Sequence, residues 1–464
     1  MPARNILVLI CLALIVIART SLPGAAQGPA MPGEDRGDRG TALDELTAAE
    51  RRWLDDGTDP DITMSYATLL LEAGQFERSR DVVEPLLQAA DTPLDAVLTA
   101  ARLDYFMGDY VGSEALYNEV LSRDPENRRA LTGLVFTYYQ TNAYHRCAEL
   151  PQEALADVRL PHLDVMLAFG QETPWRISWD DAPQTEVPFL ETDPLPVIEV
   201  EIEGLKIAAI VDTGGDLFIL DTETAESLGM ARIASMMGMF AGGMQAEIGF
   251  ARADSLRVGG ATLHAVPISI LPTRGLSLGE RQIEGIVGTA VLRQFLSTMD
   301  FPRGRLVLRE RSESSLDEFQ HEVAGRVAEE VPFYLQSSHF LLAHGSLNGH
   351  QGLLFHVDSG LAGEPAFAAP RETMEYLHIP IPEMAVHEGV VGGGGGGFAT
   401  GTFPIAELGL GRLVRRDLVG TFGGQPPGSY WHMGFIVDGL ISHNFLRDYA
   451  WTLDFDRMRM VLVE

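Results

Sequence analysis

Lysine is almost missing: Lys206 stands alone among 34 basic residues, and 65 acidic residues leave a formal net charge of −31. A surface this acidic repels phosphate backbones and anionic headgroups, so nucleic acid is not expected as a partner. The charge otherwise reads as solubility and the arginine excess as codon bias. Cysteine is scarce too. Cys11 falls in an apolar N-terminal run, and once that run is removed only Cys147 remains, which excludes an intramolecular disulfide. After that run no stretch is apolar enough to cross ~30 Å of hydrocarbon as a helix. His264, His321, His339, His344 and His350 show no HExxH or comparable spacing. They read as scattered surface histidines, and no metal is expected. There is no GxSxG elbow for a serine nucleophile. The run Gly392–Gly397 contains GxGxxG trivially but lacks a βαβ context, so no cofactor is expected.

What is present is organised. The composition, 46% apolar and 21% charged, is that of a globular chain, and 464 residues imply more than one domain. Arg4 precedes 13 apolar residues, Ile6–Ala18, and small residues end at Ala26. That pattern predicts a signal peptide over 1–26 and an exported, periplasmic or secreted, protein that is not membrane-inserted after cleavage. An uncleaved anchor is the alternative. Residues 27–41 read as a linker rich in Gly, Pro, Asp and Arg. From 42 to 170 a period of 34 aligns Gly74, Gly108 and Asn142, then Phe76, Tyr110 and Tyr144, then Ser79, Ser113 and Cys147. A turn residue, an aromatic and a small residue are what a helix–turn–helix unit needs. The middle unit resembles a tetratricopeptide repeat (TPR), and the resemblance implies a protein partner at the helical repeats.

A longer repeat follows. Glu186–Phe189 recurs as Glu330–Phe333, 144 residues on, and Val211-Asp212-Thr213-Gly214 as Val357-Asp358-Ser359-Gly360, 146 on. Glu284–Gly288 recurs as Asp438–Ser442 and Thr298–Phe301 as Thr452–Phe455, both 154 on. Ordered matches with slowly drifting offset predict a duplicated, mainly β domain, with copies at 184–311 and 328–464. Each copy ends an apolar strand in Asp, a hydroxyl residue and Gly. Burying an Asp there costs energy without a partner, the hydroxyl can hold neighbouring backbone, and Gly permits a sharp turn.

These motifs, with Ile286-Val287-Gly288 and Leu440-Ile441-Ser442 and the closing Met299-Asp300-Phe301 and Leu453-Asp454-Phe455 segments, resemble the retropepsin-like bacterial aspartic peptidases. The resemblance implies two acid-protease lobes about a pseudo-twofold axis. It also implies a peptide or protein substrate and an Asp212/Asp358 dyad activating water, supported by Thr213, Gly214, Ser359 and Gly360. The family's departures here are Gly215, His356 and Ser442, the last expected to narrow the space behind Asp358. Asp300 and Asp454 are read as strand ends. Residues 236–249 and the glycines at 392–397 are candidate covering loops, or simply disordered ones. The alternative function is a catalytically inactive protease-fold scaffold recruiting a partner through its helices. Residues from about 180 to 464 are expected to fold alone.

Overall fold

The computed structural model describes residues 39–155, 158, 160–240, 245–273, 276–278, 281–386, 398–424, 430–431 and 433–464. The leader, nearly all of the linker, the glycines at 242–243 and the run 392–397 lie outside the described residues.

Six antiparallel helices come first: α1 (Arg39–Asp55), α2 (Pro60–Glu72), α3 (Phe76–Leu87), α4 (Leu94–Phe106), α5 (Tyr110–Arg123) and α6 (Arg128–Gln140). Asp59, Asp109 and Asn127 begin α2, α5 and α6 by accepting hydrogen bonds from their first free backbone amides. α2, α4 and α6 start 34 residues apart, and Gly74, Gly108 and Asn142 each take a positive φ in the turn that follows. Ser79, Ser113 and Cys147 are all fully buried, where helices approach closely. A short 3-10 turn (Tyr144–Glu149) and a helix (Pro161–Phe169) lead into the β region. Among the described residues no helix is long and apolar enough to cross a membrane.

The same series of strand pairings occurs in both halves of the β region. In the first, Val197–Ile202 pairs antiparallel with Leu205–Val211, which runs parallel to Gly285–Val287. Gly285–Val287 pairs antiparallel with Phe218–Asp221, itself parallel to Ala261–Leu271. In the second, the corresponding members are Phe340–Leu347, His350–Val357, Gly439–Ile441, Phe367–Ala369 and Leu413–Phe422. The halves meet where Phe295–Asp300 pairs antiparallel with Ala450–Asp454. Thr298 there faces Thr452, its own counterpart, with the hydroxyls 2.7 Å apart. Asp300 and Asp454 end these strands. Asp300 accepts from Arg303 and Arg305, and Asp454 from the amides of Asp456 and Arg457.

The helical and β regions share apolar cores. One cluster runs from Val97 to Leu462, and a second joins Phe76 and Phe106 to Tyr334, Phe340, Leu354 and Phe435. Phe76 meets Phe106, Tyr334 and Phe435 edge-on at 4.8–5.1 Å. Thus the repeat aromatic does more than fill a helix groove: it anchors the helices to the second half. Against the expectation that 180–464 folds alone, part of its apolar face is completed by the helices.

A buried ion pair adds to the join. Arg39 at the start of α1 binds Asp438, whose other oxygen accepts from Leu354 N at 2.8 Å. Burial pushes Asp438 up to about 6 even against Arg39. Arg39→Ala leaves that carboxylate buried without its cation and is expected to cost about 3–5 kcal/mol. The urea midpoint should fall accordingly, and adding Asp438→Asn should recover part of the loss. An unchanged midpoint in Arg39→Ala would remove this pair from the interface.

Candidate active site

Asp212 and Asp358 occupy equivalent places. Each follows an inner strand, Leu205–Val211 or His350–Val357, that runs parallel to a short apolar strand behind it. Asp212 N donates to Val287 O (3.0 Å) and Asp358 N to Ile441 O (2.9 Å), so the parallel neighbour fixes where each aspartate leaves the sheet. The next residues then cross over. Thr213 Oγ1 donates to Val357 O (3.0 Å) and accepts from Ser359 N (3.0 Å). Ser359 Oγ accepts from Thr213 N (2.9 Å) and donates to Val211 O (3.4 Å). Each hydroxyl therefore satisfies one donor and one acceptor of the opposite half. Thr289 Oγ1 adds a bond to Thr213 O (2.9 Å).

The glycines are needed for the close approach. Gly214 N donates to Asp212 Oδ1 (2.7 Å) and Gly360 N to Asp358 Oδ1 (2.8 Å). A Cβ on Gly360 would lie 2.2 Å from Asp212 Cγ, and one on Gly214 would lie 2.5 Å from Asp358 Oδ1. Each carboxyl thus sits against the other loop's glycine, and both are fully buried. Burial pushes Asp212 well above the usual carboxylate range, and the adjacent Asp358 charge pushes it further.

Thr213→Ala tests the crossover. It leaves Val357 O and Ser359 N without their buried partners, at about 1–3 kcal/mol for each unmade bond. Thr213→Ser keeps the hydroxyl and should stay within about 1 kcal/mol of wild type in urea unfolding. Equal losses in the two variants would show that methyl packing, not the hydroxyl, matters.

The departures resolve differently. A Cβ on Gly215 would make only ordinary contacts, the nearest at 3.5 Å, so nothing at that position demands a glycine. Ser442 does not narrow the site. At the matching Gly288 a Cβ would strike Leu217 O at 2.3 Å. In the second half, however, Phe367 follows Asp358 by nine residues, against six from Asp212 to Phe218. The longer loop makes room, and Ser442 Oγ donates to Pro365 O (2.6 Å) while accepting from Asn444 N. His356 is buried in its strand, with its ring 5.0 Å from that of Phe340.

Sequence reading missed Asp216, four residues after Asp212. Tyr139 in α6 donates its hydroxyl to Asp216 Oδ1 (2.7 Å), and His162 Nε2 contacts Oδ2 (2.6 Å). Burial alone would push Asp216 up, but His162's charge and these hydrogen bonds hold it well below the usual range. Arg293 packs against the same tyrosine, 5.2 Å from its ring centroid. His339 is also here and is not a surface histidine. It is buried, its Nδ1 is 2.8 Å from Ser338 Oγ, and burial lowers it to about 4. His344 likewise is partly covered, with Nε2 3.1 Å from Gly74 O. An Asp shortly after Asp-Thr-Gly was visible in the sequence, but nothing marked its helical partners. Among the described residues no three His, Cys, Asp or Glu side chains are grouped to hold a metal.

Residues 198–291 match the aspartyl protease family model. That stretch holds Asp212 and the strands that frame it. The chain is also similar to DNA damage-inducible protein 1 of Chaetomium globosum, 26% identical over 112 residues, 24% of each chain. The chain therefore spans about a quarter of that relative's length. A retropepsin-like aspartic protease from Rickettsia conorii aligns over 29% of this chain and 94% of its own, at 17% identity and a TM-score of 0.21.

Proposed function

We propose that this protein is an exported aspartic endopeptidase, with Asp212 and Asp358 as its catalytic pair and two protease-like lobes formed by tandem duplication. One observation carries the reading: the reciprocal Thr213/Ser359 bonding that brings two buried carboxyls together at matching strand ends. Two carboxyls in such contact cannot both ionise, so the pair holds one proton between them. The ionised member takes a proton from water, which attacks the scissile carbonyl. The protonated member donates to the carbonyl oxygen, and a proton then passes to the leaving amine. Thr213, Gly214, Ser359 and Gly360 keep the carboxyls aligned. No metal or cofactor enters this chemistry. The helices over 42–170 are read as a TPR-like array that engages a protein partner, and export places the protein in the periplasm or outside the cell.

A second reading, an inactive scaffold, is favoured by the complete burial of both aspartates. Digestion of an unbiased peptide library by the purified protein, with Asp212→Asn as control, separates the two. Cleavage by wild type alone supports the peptidase. No cleavage from pH 3 to 8 supports the scaffold.

A further inference from the structure

The two halves offer counterpart turns beside the aspartate pair, and only one of them is covered. The 144-residue offset makes Ser337 and Ser338 the counterparts of Asp193 and Pro194. Each turn reaches the other half's site. Thr192 O accepts from His443 Nε2 (2.9 Å), next to Ser442, and His339 lies near Asp216. Asp193 is exposed and Pro194 half-buried. Their counterparts Ser337 and Ser338 are half-buried and buried beneath α4 and α6, where Gln140 Nε2 donates to Ser337 O and Ser338 O (both 3.0 Å) and the Tyr105 hydroxyl to Ser337 O.

On that covered side, the helix Pro161–Phe169 joins two walls. His162 Nε2 holds Asp216 on the loop after Asp212, and its ring lies 6.0 Å from Phe250 in the strand Gln245–Val258. Tyr139 takes the other Asp216 oxygen. Asp216, His162, Tyr139 and His339 are 6%, 4%, 2% and 1% exposed, which leaves no passage for a peptide among them. His339 Nε2 is buried without a hydrogen-bond partner among the described residues. An extended substrate needs about 3.3 Å of open groove per residue on each side of the cut bond.

We propose that the helical region closes the first-half end of the substrate groove, with Tyr139, His162 and His339 as specificity-determining residues, so that peptides are cut a few residues from one free end. The proposal rests on the peptidase reading above, and it concerns only which substrates reach the pair.

The test uses two nested series built on one cleaved peptide, extended stepwise on the amino side or on the carboxyl side. Beyond a fixed length, kcat/KM is expected to fall by about 100-fold on one side, as for a misplaced substrate, and to stay flat on the other. In His162→Ala the limit should move outward by about one residue, or ~3.3 Å. If that variant does not fold, the wild-type series decides alone. Equal tolerance on both sides, or cleavage of a cyclic peptide at a comparable rate, overturns the wall. If wild type cleaves nothing, the peptidase reading fails, and the length dependence of binding by a hydroxyl-bearing peptide mimic then decides the wall. Binding of neither series overturns both.

Discussion

Asp212→Asn and Asp358→Asn are each expected to lower peptide hydrolysis by about 10²–10⁴-fold, the usual contribution of positioned acid–base groups. The pair shares one proton, so losing either carboxyl removes both the base and the donor. The double variant should therefore lose little beyond either single one. Folding should survive, since asparagine has nearly the same size. Stability carries a further sign. The folded protein favours the protonated Asp212, so its ionisation destabilises the fold as pH rises above the ordinary carboxylate range. Asp212→Asn removes that penalty and should gain stability over wild type more at pH 7 than at pH 4. The same ionisation ends the shared-proton state, so hydrolysis should decline on the alkaline side. Full activity in either single variant would move the chemistry elsewhere.

Removing residues 39–170 is expected to leave an insoluble or molten remainder. The helices cover Tyr334, Phe340, Leu354 and Phe435, and a bare apolar face of that kind drives association. Two charges lose their partners as well: Asp216 its Tyr139 and His162, and Asp438 its Arg39. An unpaired buried charge costs several kcal/mol, comparable to a domain's whole stability. Expression of 180–464 with dye binding and urea unfolding checks this. A soluble fragment with a cooperative transition would restore the independent domain.

Much of the architecture was legible along the chain, for a local reason. The 34-residue period reflects turns that need a positive φ at Gly74, Gly108 and Asn142, and backbone demands of that kind write themselves into sequence. The doubled Asp-hydroxyl-Gly motif was legible for the same reason: the hydroxyl and glycine answer requirements within a residue or two of the aspartate. His339 was misread because burial depends on what packs above a turn, which no spacing records. Ser442 was misread because three extra residues in a distant loop decide whether its hydroxyl fits.

By itself, then, the sequence determined the 34-residue helical period and the doubled Asp-hydroxyl-Gly motif, because short-range geometry and periodicity encode each of them. Only the tertiary structure decided that α6 and the helix Pro161–Phe169 grip the loop after Asp212, and that Arg39 pairs with Asp438 across 399 residues. Those partners are chosen by shape and charge complementarity between surfaces that meet only when the chain is folded, and such a choice leaves no periodic mark.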